Sequence, residues 1–162
     1  MGGSRGIGAA ICLRLAAEGH DVAVGYRSGA KAAEGVAERV RALGRAAVAV
    51  AVDTADAADV DRMFDIAAKG RGQVTGLVNN AGVSGLVGRC PTPTLRGCGR
   101  PWKLMFFLLC ARRAIRDMTA GGAIVNISSA ATALGSPGTY VHYAAAKAAV
   151  DDGGTARGSG CR

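Results

Sequence analysis

Short apolar runs alternate with helix-length segments along the first half of the chain, and this alternation restricts the possible folds more than any other feature. Apolar runs cover residues 22–26 and 46–52, and a third covers residues 75–79. Between them, residues 28–43 and 54–69 predict helices, the second with Thr54 as its N-cap. With a further apolar run at 123–127, the rhythm predicts a doubly wound parallel α/β sheet with right-handed crossovers.

The net charge of +8 does not indicate a nucleic-acid partner, because it is concentrated in two segments. Residues 89–116 hold seven basic side chains and no acidic one, and Arg157 and Arg162 lie near the end. The remainder is close to neutral, with no basic stripe interleaved with aromatic residues. A chain of this size suits one domain with a real core.

Other function classes are also disfavoured by composition. No apolar run reaches the roughly 18 residues that a membrane helix needs, and no signal peptide opens the chain. The five cysteines form no CxxC pair, which indicates reduced thiols rather than a disulfide framework or a zinc site. We therefore expect a cytoplasmic protein without a metal and without a membrane partner.

A glycine cluster, Gly2, Gly6 and Gly8, leads directly into a predicted helix that begins near Ala9 and is closed by Gly19. Glycines ahead of a helix let backbone N–H groups approach a pyrophosphate, whose charge the helix dipole favours. The spacing G-x-x-x-G-x-G departs from the usual G-x-G-x-x-G fingerprint. A flexible glycine-rich start is the alternative interpretation.

The strand that ends at Tyr26 is followed by Arg27 and Ser28, where dinucleotide folds often place an Asp or Glu. Such a carboxylate would bind the adenosine ribose 2′-hydroxyl. Arg27, together with Arg5, can instead bind a 2′-phosphate, which favours NADP over NAD. An ordinary surface arginine is the alternative.

Tyr143 and Lys147 stand four residues apart in an alanine-rich segment with high helix propensity. At this spacing on a helix, two side chains lie on one face. A cation beside a phenol favours the phenolate, so the pair predicts a general acid/base that exchanges a proton with an alcohol or carbonyl near neutral pH. An ordinary helix surface is the alternative.

Together these segments resemble the short-chain dehydrogenase/reductase family over residues 2–82 and about 104–151. Residues 2–8 match its T-G-x-x-x-G-I-G loop, residues 79–82 its N-N-A-G segment, and Tyr143-x-x-x-Lys147 its catalytic pair. Residues 135–147 are most similar to a bacterial branch of glucose 1-dehydrogenase-like and 3-oxoacyl-carrier-protein-reductase-like enzymes. The resemblance implies a Rossmann-type fold and a homo-oligomer.

The resemblance also implies an activity, which is hydride transfer between NADP(H) and a small alcohol/carbonyl substrate of sugar or 3-oxoacyl type. The catalytic residues would be Ser129, with Ser128 as the alternative serine, Tyr143 and Lys147. Asp53 matches the acidic residue that contacts the adenine ring in this family. The implied cofactor contacts are Gly2, Ser4, Arg5, Gly6, Ile7, Gly8, Arg27, Asp53, Thr54, Asn80, Ala81, Gly82 and Lys147.

Three departures from the family pattern accompany these matches. The family's first strand would precede Met1, residues 87–103 lack the pattern, and Lys103 stands where the family has a proton-relay asparagine. After Asp151 the sequence predicts a poor helix, so the expected organisation is a partial cofactor-binding domain at 1–151 and an irregular tail at 152–162. Both aberrant segments fit a shifted reading frame.

These departures support an alternative function, a catalytically inactive remnant or nucleotide-binding module of the same family. They predict undetectable turnover for these 162 residues and a weakened oligomer. A basic interaction protein on the same scaffold is a third possibility.

Overall fold

A computed structural model describes residues 1–70, 72–82, 105–134 and 141–154. Helices and strands alternate through this part of the chain, as the apolar runs predict. In chain order the elements are α1 (Gly6–Ala17), β1 (Val22–Tyr26), α2 (Ala30–Ala42), β2 (Ala47–Ala51), α3 (Ala57–Ala68), β3 (Gly76–Asn79), α4 (Met105–Asp117), β4 (Ala123–Asn126), α5 (Ala131–Leu134) and α6 (Val141–Gly154).

The four described strands form two parallel pairs. β1 pairs with β2, with Val22 opposite Ala47, and β3 pairs with β4, with Gly76 opposite Ala123. A helix joins β1 to β2, and another described helix precedes β4, which is the strand–helix–strand connection that parallel pairing requires. This is the Rossmann-type, doubly wound α/β architecture that the alternation predicts.

Residues 1–3 lie between the two pairs. The N–H of Gly3 donates to the carbonyl of Gly25 at 2.9 Å, and the amine of Met1 donates to the carbonyl of Val78 at 2.8 Å. Their backbone therefore contacts β1 on one side and β3 on the other, where the family resemblance places a central strand. Within the described residues no strand occupies this position, so two two-stranded sheets take the place of one continuous sheet.

Helices cover both faces of the strands. On one face, Val24 of β1 packs with Ala16 of α1 and Val36 of α2. On the other, Val50 of β2 and Leu77 of β3 pack with α3 and α4, through side chains that include Phe64, Cys110 and Ala114. The core thus has three layers, and none of the described helices is long and apolar enough to cross a membrane.

One detail of the predicted elements is wrong. Asp56, not Thr54, caps α3, since its carboxylate accepts from the N–H groups of Ala58 and Asp59, while Thr54 is buried at 9% exposure. The last described helix, α6, ends at Gly154, three residues after Asp151. The predicted aberrant segment 87–103 lies outside the described residues, as do residues 155–162.

Candidate active site

The glycine loop, residues 2–8, packs against the segment that follows β3. The side-chain amide of Asn80 donates to the carbonyl of Gly2 at 3.0 Å. A Cβ atom at Gly8 would lie 2.1 Å from the Gly2 oxygen, and one at Gly2 would lie 3.0 Å from the Cα of Ala81. These distances leave no room for side chains, so glycine at both positions lets the two backbones meet.

The start of α1 has the features of an anion site. Arg5 at the N-cap is extended and makes no side-chain cap, and the first turn holds no acidic residue. Arg5, Gly6 and Ile7 are exposed, Ile7 at 64%, and the neighbouring Ser4 is half-buried. Because the first N–H groups of a helix have no intrahelical partner, this end can bind a phosphate.

Arg27 and Asp53 lie just beyond the ends of β1 and β2. Because these strands are parallel and in register, the two residues leave the sheet side by side, and their side chains form an ion pair at 3.4 Å. The Asp53 carboxylate also accepts from the N–H of Ala55 at 3.1 Å. A basic and an acidic group therefore stand together at the carboxyl edge of this strand pair.

Lys147 of α6 lies at the carboxyl end of the second strand pair. Its side chain is buried, and its ammonium donates to the carbonyl of Ile127, the residue after β4. A Cβ atom at Gly82 would lie 3.6 Å from the Lys147 nitrogen, so the ammonium also borders the segment after β3. Burial is the main cause that lowers the pKa of Lys147 below its ordinary value.

Tyr143 lies in the first turn of α6, one helical turn before Lys147, and is partly buried. The two side chains share one face of the helix, as their spacing predicts. Because Lys147 contacts the end of β4, this face of α6 is directed towards the strand ends. The ammonium of Lys147 therefore lies near the N-N-A-G segment, and Tyr143 precedes it by one helical turn.

Ser128 and Ser129 follow β4 and have different surroundings. The Oγ of Ser129 accepts from the N–H of Ala131 at 3.2 Å, so its own proton remains available for donation. The Oγ of Ser128 is buried and has no hydrogen-bond partner among the described residues. The turn that Ser129 makes with α5 places its hydroxyl at the end of the strand.

Comparison with known proteins identifies the family. The family model described as short chain dehydrogenase matches residues 1–153. The chain belongs to the short-chain dehydrogenase family. The three sequence segments of the predicted resemblance thus lie within one continuous match.

Relatives of this family are similar over nearly the whole chain. The Uncharacterized oxidoreductase YgfF of Escherichia coli is 40% identical over 93% of this chain and 64% of its own length. The 3-oxoacyl-acyl-carrier-protein reductase FabG of Staphylococcus aureus is 36% identical over 92% of this chain and 61% of its own length. A short-chain dehydrogenase from Burkholderia cenocepacia, solved in complex with NADP, is 37% identical in sequence. The match covers 92% of this chain and 61% of that structure's chain, with a TM-score of 0.80.

The chain therefore spans somewhat over three fifths of the length of these relatives. Lys103, which stands where the family resemblance places a relay asparagine, lies outside the described residues.

One pair of residues at the site was not predicted from the sequence. Asn79 and Asn126 are opposite each other in the β3–β4 register, and the amide of Asn79 donates to the side-chain oxygen of Asn126 at 3.0 Å. Asn79 is buried at 8% exposure. Both residues end their strands, so a parallel alignment of the two apolar runs would have shown that they are neighbours.

Proposed function

We propose that this chain carries the active site of an NADP-dependent oxidoreductase, for hydride transfer between NADP(H) and an alcohol/carbonyl substrate. The observation that supports it best is the placement of Lys147. Its buried ammonium contacts the end of β4 and borders Gly82, one helical turn from Tyr143. Burial of a cation costs free energy that its partners must offset. In this proposal the ammonium has a further partner in the bound cofactor.

In this proposal Tyr143 is the general acid/base. During reduction its hydroxyl donates a proton to the carbonyl oxygen as that oxygen gains charge, and during oxidation the phenolate takes the alcohol proton. The Ser129 hydroxyl donates a hydrogen bond to the same oxygen and stabilises its developing charge. The nicotinamide, when bound, supplies or accepts the hydride.

Lys147 has two tasks in the same proposal. Its charge stabilises the phenolate form of Tyr143, and its ammonium binds the ribose next to the nicotinamide. The ammonium already donates to the Ile127 carbonyl, which fixes its position. The position is therefore set before any ligand arrives, which reduces the entropic cost of binding.

The cofactor contacts come from the loops around the strand ends. The glycine loop and the start of α1 would bind the pyrophosphate, through Gly2, Ser4, Gly6, Ile7 and Gly8. Asn80, Ala81 and Gly82 would line the adenosine ribose region, and Asp53 and Thr54 the adenine. The relative from Burkholderia cenocepacia was solved with NADP.

NADP is the proposed cofactor rather than NAD because Arg5 and Arg27 are both exposed near the predicted position of the 2′-phosphate. Arginine–phosphate contacts are charge-assisted and often bidentate. The α2 helix begins three residues after Arg27 without a side-chain cap, so its positive end adds to the attraction.

The proposed substrate is a small alcohol or carbonyl compound of sugar or 3-oxoacyl type, and the chain would act in the cytoplasm. The relative from Staphylococcus aureus is a 3-oxoacyl-acyl-carrier-protein reductase, which supports the second type. We further propose residues 1–151 as the cofactor-binding unit, and a homo-oligomer as the assembly.

A second candidate is a nucleotide-binding module without turnover. It is favoured by Lys103, which stands where the family resemblance places a proton-relay asparagine. Both candidates share the cofactor site, so binding alone does not separate them. Turnover does.

The test combines binding with a screen of activity. NADPH fluorescence on titration measures binding, and NADPH oxidation is then followed with aldehydes, ketosugars and β-ketoacyl thioesters. Oxidation that falls about 10²–10⁴-fold in Tyr143→Phe establishes the oxidoreductase. Tyr140→Phe is the matched control, because that tyrosine has Ala144 rather than a lysine four residues later. Binding without turnover would establish the nucleotide-binding module.

A further inference from the structure

The ion pair between Arg27 and Asp53 joins two residues to which the cofactor proposal gives separate tasks. Arg27 would bind the 2′-phosphate of NADP, and Asp53 would bind the adenine. In the structure the guanidinium of Arg27 lies 3.4 Å from the carboxylate of Asp53, and both side chains are substantially exposed. If Arg27 binds a phosphate, its guanidinium must either contact the phosphate and the Asp53 carboxylate together or break the ion pair with Asp53.

Asp53 is held firmly in place. Its carboxylate accepts from the N–H of Ala55 at 3.1 Å, and its own backbone N–H donates to Asp59 at 2.9 Å. Its position is further fixed by the parallel ladder, since Val52 donates to the carbonyl of Tyr26 at 2.8 Å. The carboxylate therefore cannot move away when a phosphate arrives.

Asp56, the next acid in the chain, caps α3 with its carboxylate. Asp59 also has other partners. It is bonded to Arg62 at 2.7 Å and to the N–H of Asp53. Among the described residues, Asp53 is the acid that pairs with Arg27. One carboxylate thus controls the charge that Arg27 presents.

We propose that Asp53 is a specificity-determining residue, which pairs with Arg27 and thereby limits the preference of this site for NADP over NAD. This inference rests on the proposed function. The 3.4 Å separation is longer than the 2.7–2.9 Å of a strong charge-assisted bond, so the more exposed Arg27 side chain can turn from the carboxylate to a phosphate.

The substitution Asp53→Asn isolates the charge. The amide oxygen of asparagine can still accept from the N–H of Ala55, so the turn after β2 is kept, while the negative charge beside Arg27 is removed. Any change in the adenine contact affects NADPH and NADH alike. The ratio of their two dissociation constants therefore cancels it and reports the 2′-phosphate alone.

The experiment measures NADPH and NADH fluorescence titrations of the full 162-residue chain and three variants. Asp53→Asn should raise the preference for NADPH about two- to five-fold, which at 1.4 kcal/mol per factor of ten equals about 0.4–1 kcal/mol. Arg27→Ala should lower the preference. In the Arg27→Ala background, Asp53→Asn should leave the NADPH preference unchanged, because the guanidinium that Asp53 pairs with is absent.

Glu18→Gln is the matched control. Glu18 pairs with Arg14 in an exposed ion pair near the far end of α1, about 18 Å along the helix from the glycine loop. Removing this charge should leave the NADPH/NADH ratio unchanged. At about 1 M NaCl, where the screening length is near 3 Å, the effect of Asp53→Asn should shrink.

The outcomes separate this inference from the proposed function. Suppose the parent chain binds both nucleotides and the preference for NADPH over NADH is unchanged or lower in Asp53→Asn. This result overturns the role of Asp53 but does not contradict the proposed cofactor site. An equal rise in the Arg27→Ala background also overturns it, since the effect would then not act through Arg27. A parent chain that binds neither nucleotide overturns both.

Discussion

Gly8 and Gly35 are both helical glycines, and the same substitution by alanine should have opposite effects at the two positions. A Cβ atom at Gly8 would lie 2.1 Å from the carbonyl oxygen of Gly2 and 2.7 Å from the amide nitrogen of Asn80. That is almost 1 Å short of the 3.0 Å that real Cβ atoms observe. At Gly35, in α2, a Cβ atom would meet nothing within 4 Å.

The magnitudes follow from these distances. Alanine is favoured over glycine inside a helix by about 0.8–1.0 kcal/mol, which is the whole effect expected at Gly35. At Gly8 the obstacle is a backbone oxygen, which cannot rotate away, so the cost of overpacking should be near the upper end of about 1–3 kcal/mol. Gly8→Ala should therefore lower the free energy of unfolding by a net ~1–2 kcal/mol.

Thermal unfolding followed by circular dichroism measures both effects. For a chain of this size, Gly8→Ala should lower Tm by about 2–8 °C, and Gly35→Ala should raise it by about 2–4 °C. In NADPH titration, Gly8→Ala should also weaken binding, because the loop must shift away from Asn80, while Gly35→Ala should not. Equal or greater stability of Gly8→Ala relative to Gly35→Ala would refute the close approach of the glycine loop to the β3 end.

Three further predictions test the packing around the site. Arg113→Met should lower the free energy of unfolding by about 1–3 kcal/mol in urea, since Arg113 is largely buried and bonds three carboxylates, including Asp117 at 2.7 Å; an unchanged midpoint would contradict this. Cys110 is fully buried, which raises its pKa to about 11, and burial raises the pKa of Cys12 as well. Iodoacetamide at pH 8 should therefore label neither thiol until urea is added, and rapid native labelling seen by mass spectrometry would disprove their burial. Asp56→Ala should cost about 0.5–2 kcal/mol through loss of the α3 cap, and Asp56→Asn should restore most of it.

Much of the fold could be predicted because its signals are local. The run of residues 46–52 is apolar throughout, as a strand covered on both faces must be, and β2 lies within it. Gly19 was predicted to end the first helix, and it has a positive φ angle just after α1. These features depend only on neighbouring residues, so the sequence alone was sufficient.

The choice of helix cap shows where local reasoning ends. Thr54 and Asp56 are both good N-cap residues, and they are two positions apart. Thr54 is buried at 9% exposure, and Asp56 remains exposed and caps the helix. Burial of Thr54 depends on residues distant in the chain, so a rule based on residue type could not separate the two.

Contacts at the site itself depend on the register of the strands. The Arg27–Asp53 pair joins residues 26 positions apart, and its existence follows only once Tyr26 is known to lie opposite Ala51. The roles of Ser129, Tyr143 and Lys147 remain predictions from the family motif. What the sequence supplied was their order and spacing.

The position of Lys147 rests on the pairing of β3 with β4. Asn79 lies opposite Asn126 in the register, their side chains are bonded, and the N–H of Ile127 donates to the carbonyl of Asn79 at 3.0 Å. The segments that begin at Asn80 and Ile127 therefore leave the sheet side by side. Lys147 closes this arrangement, because its ammonium donates to the Ile127 carbonyl on one segment and borders Gly82 on the other.

A substitution of Lys147 would thus remove a structural contact together with a proposed ligand contact. Loss of NADPH binding in Lys147→Ala would not by itself identify the ribose contact. The two roles differ in their effect on the free protein: a structural role lowers the unfolding midpoint without nucleotide, whereas a ligand contact alone leaves it unchanged. Because burial lowers the pKa of Lys147, the unfolded chain binds the proton more tightly, so the charged lysine opposes folding at neutral pH. Lys147→Met, which keeps a long apolar side chain without the charge, should therefore retain most of the stability while losing the ammonium that the proposed chemistry needs.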